Sequence, residues 1–365
     1  MSTVCLPEGV RLVERAKDLP RREWDALTRP SDIFLTTRWL DVVEGTAGVP
    51  MAYLLAERGG RLVAGLATAL AGATVPWSLG RPDYVLGKSA EAELPGAEEF
   101  LAALRTGPTE ALMPTLLAGG RHLGHTRILY GELASADDLA ALVAAAEGLA
   151  RAAGAASVTF LYVDETDVEL TGVLALRGYR NYTSGRYSSL RVPADGFPGY
   201  LAGLPSKRRI SINAERRRLH DEGCRISVES LDGADLARFA ALEAELMRKY
   251  GIEWRDDQSL PTLVQIRDRF GDDAFALVAR ADGAVRGFGL ILRYQNHWYA
   301  RQSGFDYAYQ GNKRLPLYFE VLYYRLLEEA AAAGVTTIYY GHGSEKTKLS
   351  RGCVASDQFC HVLSL

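Results

Sequence analysis

The sequence predicts an α/β (α+β) protein in which one module, a mixed central sheet flanked by helices, occurs twice in tandem. Three matches between the halves predict it. Residues 53–70 align without a gap on residues 275–292. Each copy reads as an apolar strand, a tight turn (Arg58-Gly59-Gly60-Arg61 or Ala281-Asp282-Gly283) and a second strand with an internal glycine, Gly65 or Gly287. Later in each half an Ala-rich helix ends at Gly154 or Gly334 and leads into a strand, 157–162 or 336–340. A short segment ending in Arg-Gly then follows: Leu176-Arg177-Gly178 and Leu349-Ser350-Arg351-Gly352. The spacing between the first two matches is longer in the first half, which therefore carries extra residues between its hairpin and its helix.

A length of 365 residues suits two domains. We assign them to 1–194 and 195–365 and expect most of the site in the second. The hydrophobic share of 48% beside 24% charged residues is that of a soluble globular chain. A net charge of −3 sets up no global field for nucleic acid, so any anionic partner must meet a local patch. Cys5, Cys224, Cys353 and Cys360 show no CxxC or metal-ligand spacing and are too few for a disulfide scaffold. With no secretory leader and no apolar run of about 18 residues, the expected compartment is the cytoplasm. The six histidines are scattered, so no metal site is expected.

Taken in order, residues 21–44 read as helical, with Trp24 and Trp39 packing inside. The hairpin 51–70 follows, then a Gly/Pro-rich loop at 71–95. Helical patterns at 97–105 and 109–118 precede a strand at 125–130. Ser135 caps a helix over 137–153 that Gly154 stops. A short helix at 168–177 leads to a strand at 182–192 with aromatic and β-branched alternation. Pro193, Gly196, Pro198, Gly203 and Pro205 break the chain, and the domain boundary is placed there. The second half is read as helix 206–220, strand 225–230, helix 234–249, helix 261–270, hairpin 274–294, strand 298–304, helix 316–333, strand 335–340 and a closing strand at 358–364.

This order resembles the GNAT acyltransferase fold, and two copies in tandem resemble its Fem-like branch, which joins amino acids or acyl groups to amines. Three stretches carry the resemblance: Leu204-Pro205-Ser206-Lys207-Arg208-Arg209 with Ile212 and Ala214-Glu215-Arg216-Arg217; Tyr318-Phe319-Glu320-Val321-Leu322-Tyr323-Tyr324; and Lys346-Thr347-Lys348-Leu349-Ser350-Arg351-Gly352. The last resembles the Lys and Ser-Arg-Gly turn of the predicted peptidoglycan-biosynthesis subgroup. Acetyl-CoA-dependent GNAT enzymes carry a Q/R-x-x-G-x-G/A loop whose amides hold pyrophosphate at a helix N-terminus. The corresponding segment here, 306–314, has one glycine and lacks that pattern. The resemblance therefore implies an aminoacyl-tRNA donor, met at its 3′ end, and no tightly bound cofactor. Acyl-CoA or an acyl carrier protein is the alternative donor.

Candidate residues follow from chemistry and resemblance together. Lys207, Arg208 and Arg209 lie in a helical first turn, where cations oppose the helix dipole unless an anion compensates. With Arg216 they form a candidate phosphate-binding patch, since Arg offers paired donors to phosphate; a solvated surface helix is the bland alternative. Glu320, set among Tyr318, Phe319, Tyr323 and Tyr324, would have a raised pKa and suit proton removal from an attacking ammonium; an ion pair with Arg314 or Arg325 is its alternative. Tyr340 and His342, at the end of the central strand, are further catalytic candidates. Lys348 and Arg351 are candidates to neutralise phosphate or carboxylate. Tyr299 and Arg301, read as sharing a strand face with Ser303, are substrate-orienting candidates together with Asp306 and Tyr324. The expected reaction is amide-bond formation between an aminoacyl donor and a small-molecule amine, from specialised metabolism or a cell-wall precursor. A non-enzymatic scaffold binding nucleic acid or a polymer is the other class of reading.

Overall fold

The computed structural model describes residues 5–106, 112–120, 124–311 and 315–365. In chain order its strands are β1 Val10–Val13, β2 Met51–Arg58, β3 Arg61–Ala71, β4 Thr115–Ala118, β5 Leu129–Tyr130, β6 Ser157–Asp164, β7 Arg180–Arg191, β8 Arg225–Ser230, β9 Ala274–Ala281, β10 Ala284–Tyr294, β11 His297–Phe305, β12 Thr337–Gly341 and β13 Val354–Ser364. Two compact units form: Met1–Tyr187 with Ser356–Leu365, and Ser188–Ala355.

In the first unit the sheet order is β1-β2-β3-β4-β6-β13-β7, with β5 on β3. Only β4 and β6 are parallel neighbours among the pairings described there. In the second unit the order is β7-β12-β11-β10-β9-β8, and β11 and β12 are its parallel pair. Each unit is thus a mixed sheet flanked by helices, the tandem GNAT-like architecture the repeat predicts. The repeated hairpins carry the same device at the same aligned position. A Cβ on Gly65 would lie 2.5 Å from the Trp24 ring, and one on Gly287 would lie 2.6 Å from the Phe305 ring. Each glycine leaves room for an aromatic ring against its strand.

The division between units falls inside β7, not at 193–205. The breakers there end β7 and start the helix Gly196–Ala202. Strand pairing, which sequence punctuation does not report, draws the boundary. It also returns the closing strand to the first unit, where Gln358 pairs with Asp164 and Ser364 with Ser157. Further elements differ from expectation, among them the strand expected at 125–130, of which only Leu129–Tyr130 forms. The loop at 71–95 contains the helix Pro82–Glu91. The helical pattern at 109–118 lies partly outside the described residues, and its end is strand β4, fully buried. A short apolar run reads alike as buried helix or buried strand until its neighbours are known.

The core of the second unit joins Ile212 of the helix Ser206–Asp221 to Val321, Tyr323 and Leu326, with Leu277, Ile291 and Ile338 from the sheet. On the opposite sheet face, the helix Leu236–Lys249 stacks Phe239 on Phe288 with centroids 4.3 Å apart. Gly304 permits that helix to approach. A Cβ there would stand 2.3 Å from the Leu242 carbonyl carbon and 2.4 Å from the Glu243 amide nitrogen. Backbone cannot rotate aside, so Gly304→Ala is expected to lower stability by about 3 kcal/mol, measurable by urea unfolding. An unchanged midpoint would show that the helix moves freely.

Candidate active site

Strands β11 and β12 pair from His297–Thr337 to Tyr299–Tyr339 and then separate. At that point β11 carries an extra residue, Arg301, since Leu290 pairs with Gln302 while Ile291 pairs with Ala300. A bulge of this kind switches the strand's facing. Trp298 and Phe305 both join the core beside Val321 and Leu322. Gln302 and Gly304 instead face the helix Leu236–Lys249. The separation opens a cavity of about 430 Å³. Ala300–Ser303 form one wall and Tyr340 and His342 the other; Lys249 and Tyr250, Tyr318 and Phe319, and Thr347 and Lys348 close its sides. Lys249, Arg301 and Lys348 bring positive charge, and none of the lining residues is an Asp or Glu.

The wall at Tyr340 is fixed from behind. The helical segments Leu317–Phe319 and Arg325–Ala332 are joined by a π-helical turn, Glu320–Tyr324. Such a turn loosens the main-chain ladder and leaves carbonyls needing an outside donor. Tyr340 Oη donates to Leu322 O at 2.8 Å and stacks on Tyr323 with centroids 4.6 Å apart. Burial drives its hydroxyl well above the usual tyrosine range. It is therefore a fixed, neutral hydrogen-bond donor and not a base.

Lys348 holds the other end of this wall. Its Nζ, on a side chain only 4% exposed, donates to Tyr340 O at 2.9 Å, Gly341 O at 2.7 Å and His342 O at 2.8 Å. Burial pushes the ammonium down to about 8. Three carbonyls nevertheless require all three of its N–H groups, which keeps it charged at neutral pH. Its donors serve the main chain, so the phosphate-neutralising role expected of it is replaced by a positioning one. At the mouth, Lys249 lies 4.2 Å from the Tyr307 ring centroid, and the hydroxyls of Tyr250 and Ser344 stand 3.5 Å apart.

The other expected site residues divide sharply. Arg301, Tyr340, His342 and Lys348 line the cavity. Tyr299, Asp306, Glu320, Tyr324 and Arg351 do not, and neither do Lys207, Arg208, Arg209 and Arg216 of the basic helix. Glu320 pairs with Arg216 at 3.0 Å, and Arg216 also bonds Glu328 at 2.6 Å. Burial raises Glu320 even against this partner. Its expected role as a base is corrected to a helix–helix ion pair made with Arg216. Of the partners expected for it, Arg325 pairs with Glu329 at 2.5 Å, and Arg314 lies outside the described residues. Tyr324 and Arg351 belong to the same seam. Arg351 Nε donates to Tyr324 Oη at 2.8 Å, its Nη2 meets Glu215 at 3.1 Å, and the Tyr324 hydroxyl donates to Glu215. The Arg351 guanidinium also lies 3.7 Å from the Phe319 ring centroid. Arg209 donates to Leu204 O at 2.7 Å, Arg208 is half-buried and Lys207 is exposed.

Asp306 is the N-cap of the short helix Tyr307–Gln310, accepting from Tyr309 N at 2.7 Å, and it pairs with Arg238 and Arg286, each at 3.0 Å. Burial would raise its carboxyl, but these donors outweigh it and hold it below the usual range. Tyr299 stacks on Tyr339 inside the fold, since the bulge, not simple alternation, sets facing beyond it. Lys249, Tyr250, Gln302, Ser344 and Thr347, to which the sequence assigns no role, also line the cavity. They converge from separate elements, and no spacing along the chain announces them. Tyr318 and Phe319, neighbours of Glu320 in the sequence, line the cavity as well. Among the described residues no group of three or more His, Cys, Asp or Glu is arranged to hold a metal ion.

Parallel strands that part over a substrate-sized cavity, on one of two mixed-sheet units, define the class as a tandem GNAT-like fold. The FemAB-like family, described as peptidoglycan biosynthesis/recognition, matches residues 122–363. The chain belongs to this family. Among solved structures, FemX is similar at a TM-score of 0.61 and 12% identity over 96% of both chains. The C-terminal domain of a putative lysylphosphatidylglycerol synthetase from Agrobacterium fabrum has a TM-score of 0.54 and 12% identity over 95% of this chain and 90% of that one. A tandem GNAT protein from the clavulanic acid biosynthesis pathway has a TM-score of 0.54 and 15% identity over 97% and 98%. These likenesses establish the fold. No curated protein matches. Among the described residues no helix is long and apolar enough to cross a membrane.

Proposed function

We propose that this protein is an aminoacyltransferase that moves an aminoacyl group from the 3′ ester of an aminoacyl-tRNA to an amine. The acceptor carries an anionic group near that amine, as peptidoglycan peptides do. Family membership supports the acceptor class, and the cationic, carboxylate-free wall supports the anionic group. The donor assignment rests chiefly on the segment that follows β11. Three of its amides are already used: Tyr309 N bonds Asp306 Oδ1 at 2.7 Å, Tyr307 N bonds Glu245 Oε2 at 3.3 Å and Gln310 N bonds Asp306 O at 3.1 Å. Two carboxylates thus stand where a CoA pyrophosphate would need free amides. Asn312, Lys313 and Arg314 of the same segment lie outside the described residues.

In this reading the acceptor nitrogen attacks the ester carbonyl carbon. The new C–N bond forms, the ester C–O bond breaks, and the tRNA 3′ oxygen leaves with a proton. His342 accepts the proton from the attacking amine. Lys348 and Tyr340 keep the facing wall in place, so that the reactants meet in a defined geometry. Product formation in the presence of amino acids, ATP, synthetases and tRNA is expected to be abolished by ribonuclease and not restored by acyl-CoA. Ribonuclease-resistant transfer, or turnover with acyl-CoA alone, would refute the tRNA donor.

A further inference from the structure

The first unit holds a cavity of its own, of about 570 Å³. Its floor is sheet. Leu54, Leu66 and Leu116 belong to the core covered by the Ala-rich helix Ala136–Ala152. Ala52 of β2 and Thr68 and Leu70 of β3 prolong the same sheet face into the cavity, and Leu12, paired with Leu54, carries it to the edge strand β1. The helix ends there in small residues. Leu149, Ala152 and Ala153 form a wall and leave the floor open. Leu12, Leu70 and Leu149 pack on the core and yet stay only partly buried.

The volume lies within the range of about 300–1,000 Å³ that small-molecule sites occupy. The lining chemistry selects the occupant. Thr68 Oγ1 donates to Ala52 O at 2.9 Å and Leu70 N to Pro50 O at 2.9 Å, so these polar groups of the floor are already bonded within the chain. The part of a ligand that lies on them gains by apolar contact and is hydrocarbon. Three lining residues carry charge: Glu14, Arg15 and Glu44. Arg15 Nε donates to Glu44 Oε1 at 3.1 Å, and Glu44 Oε2 accepts from Ala16 N at 2.9 Å, which leaves that pair neutral and occupied. Arg151, next to the wall, pairs with Glu147 at 3.8 Å. Glu14 is exposed and, among the described residues, has no ion-pair partner. The wall is also a helix C-terminus, whose dipole favours a cation. A carboxylate and a helix C-terminus beside a hydrocarbon floor match an alkyl body with an ammonium head.

We propose that this cavity binds an alkylammonium amphiphile, with its chain over Leu12, Leu70 and Leu116 and its head at Glu14. The site lies wholly within the first unit and does not depend on the transferase reading. Isothermal titration calorimetry of the full chain with n-alkylamines tests it, with n-octanol and n-octanoate as controls of equal length. From n-butylamine to n-octylamine, each added CH₂ is expected to tighten binding about fourfold. n-Octylamine should bind about fivefold more tightly than n-octanol, the combined effect of an exposed carboxylate and a helix end. n-Octanoate should bind more weakly than n-octanol.

Two variants locate the ligand, and both change exposed residues, so the fold is kept. Glu14→Gln should cut the preference for n-octylamine over n-octanol to about twofold and leave n-octanol binding as it was. Ala152→Phe places a ring over the floor and should weaken every probe at least ~tenfold. The absence of binding, affinity independent of chain length, n-octanoate binding as tightly as n-octylamine, or n-octylamine binding untouched by Ala152→Phe would overturn the proposal. So would loss of n-octylamine binding as the chain dimerises in sedimentation, which would give this face to a second copy.

Discussion

Replacing Lys348 by Met is expected to cost about 3–5 kcal/mol of stability and to lower transfer at least ~100-fold. Met keeps most of the volume, so the loss comes from polarity. Tyr340 O, Gly341 O and His342 O would all lose their buried donor. Each unmet carbonyl carries a penalty of about 1–3 kcal/mol unless the chain moves to find water. If it moves, the Tyr340–His342 wall shifts relative to Ala300–Ser303, and an error of about 1 Å in such a wall is enough for the predicted fall in rate. Chemical unfolding and single-turnover transfer measure the two effects. A variant within about 1 kcal/mol of the wild type with full activity would show that the three contacts are incidental.

The same residue predicts a pH dependence. With the ammonium held at about 8, a rise through that pH removes one of three N–H groups and leaves one carbonyl unmet. Transfer by the wild type should therefore decline above about pH 8. Global stability should run the other way. The folded value lies below the ordinary lysine value of 10.5, so between the two the unfolded chain binds a proton that the folded chain has released. Unfolding free energy gains a positive slope across that window, a contribution that is lost again as pH falls through about 8. The Met variant should lack both trends.

Arg351→Met should destabilise the protein by about 3–5 kcal/mol, without a selective effect on donor binding. Arg351 is 2% exposed and ties Tyr324 and Glu215 together while covering Phe319. Its removal leaves the Glu215 carboxylate and the Tyr324 hydroxyl without their cation at the seam between two helices. A double variant with Glu215→Gln should be more stable than the sum of the single losses, because the stranded charge is gone. If Arg351 instead bound donor phosphate, the single variant would remain stable, lose donor affinity and show a shallower salt dependence. Unfolding curves and donor titrations at two salt concentrations separate these outcomes.

Both cases turn on cations that the sequence alone offered for phosphate binding. Arg209, Arg216, Lys348 and Arg351 stand in basic runs, and a basic run reads the same whether its partners are ligands or distant residues of the chain. The partners turn out to be Leu204 O, Glu320 with Glu328, three strand-end carbonyls, and Glu215 with Tyr324. Apart from Leu204 and the turn before Lys348, those groups come from other elements, and only packing brings them within reach. Glu320 follows the same rule: its apolar neighbours imply burial but not the direction it faces.

The duplicated module, its hairpins, the Gly154 and Gly334 stops and most helices were legible in the sequence, because period-two alternation, glycine turns and helix ends are local and each acts within a few residues. The family resemblance was legible for the same reason, being carried by contiguous motifs. The position of the candidate cavity was decided by tertiary structure alone. It depends on where β11 and β12 stop pairing, on one extra residue at Arg301 that switches the strand's facing, and on side chains from several separate segments meeting there. Strand register and long-range packing are settled by the free energy of the whole sheet and its covering helices, which no short stretch of chain contains.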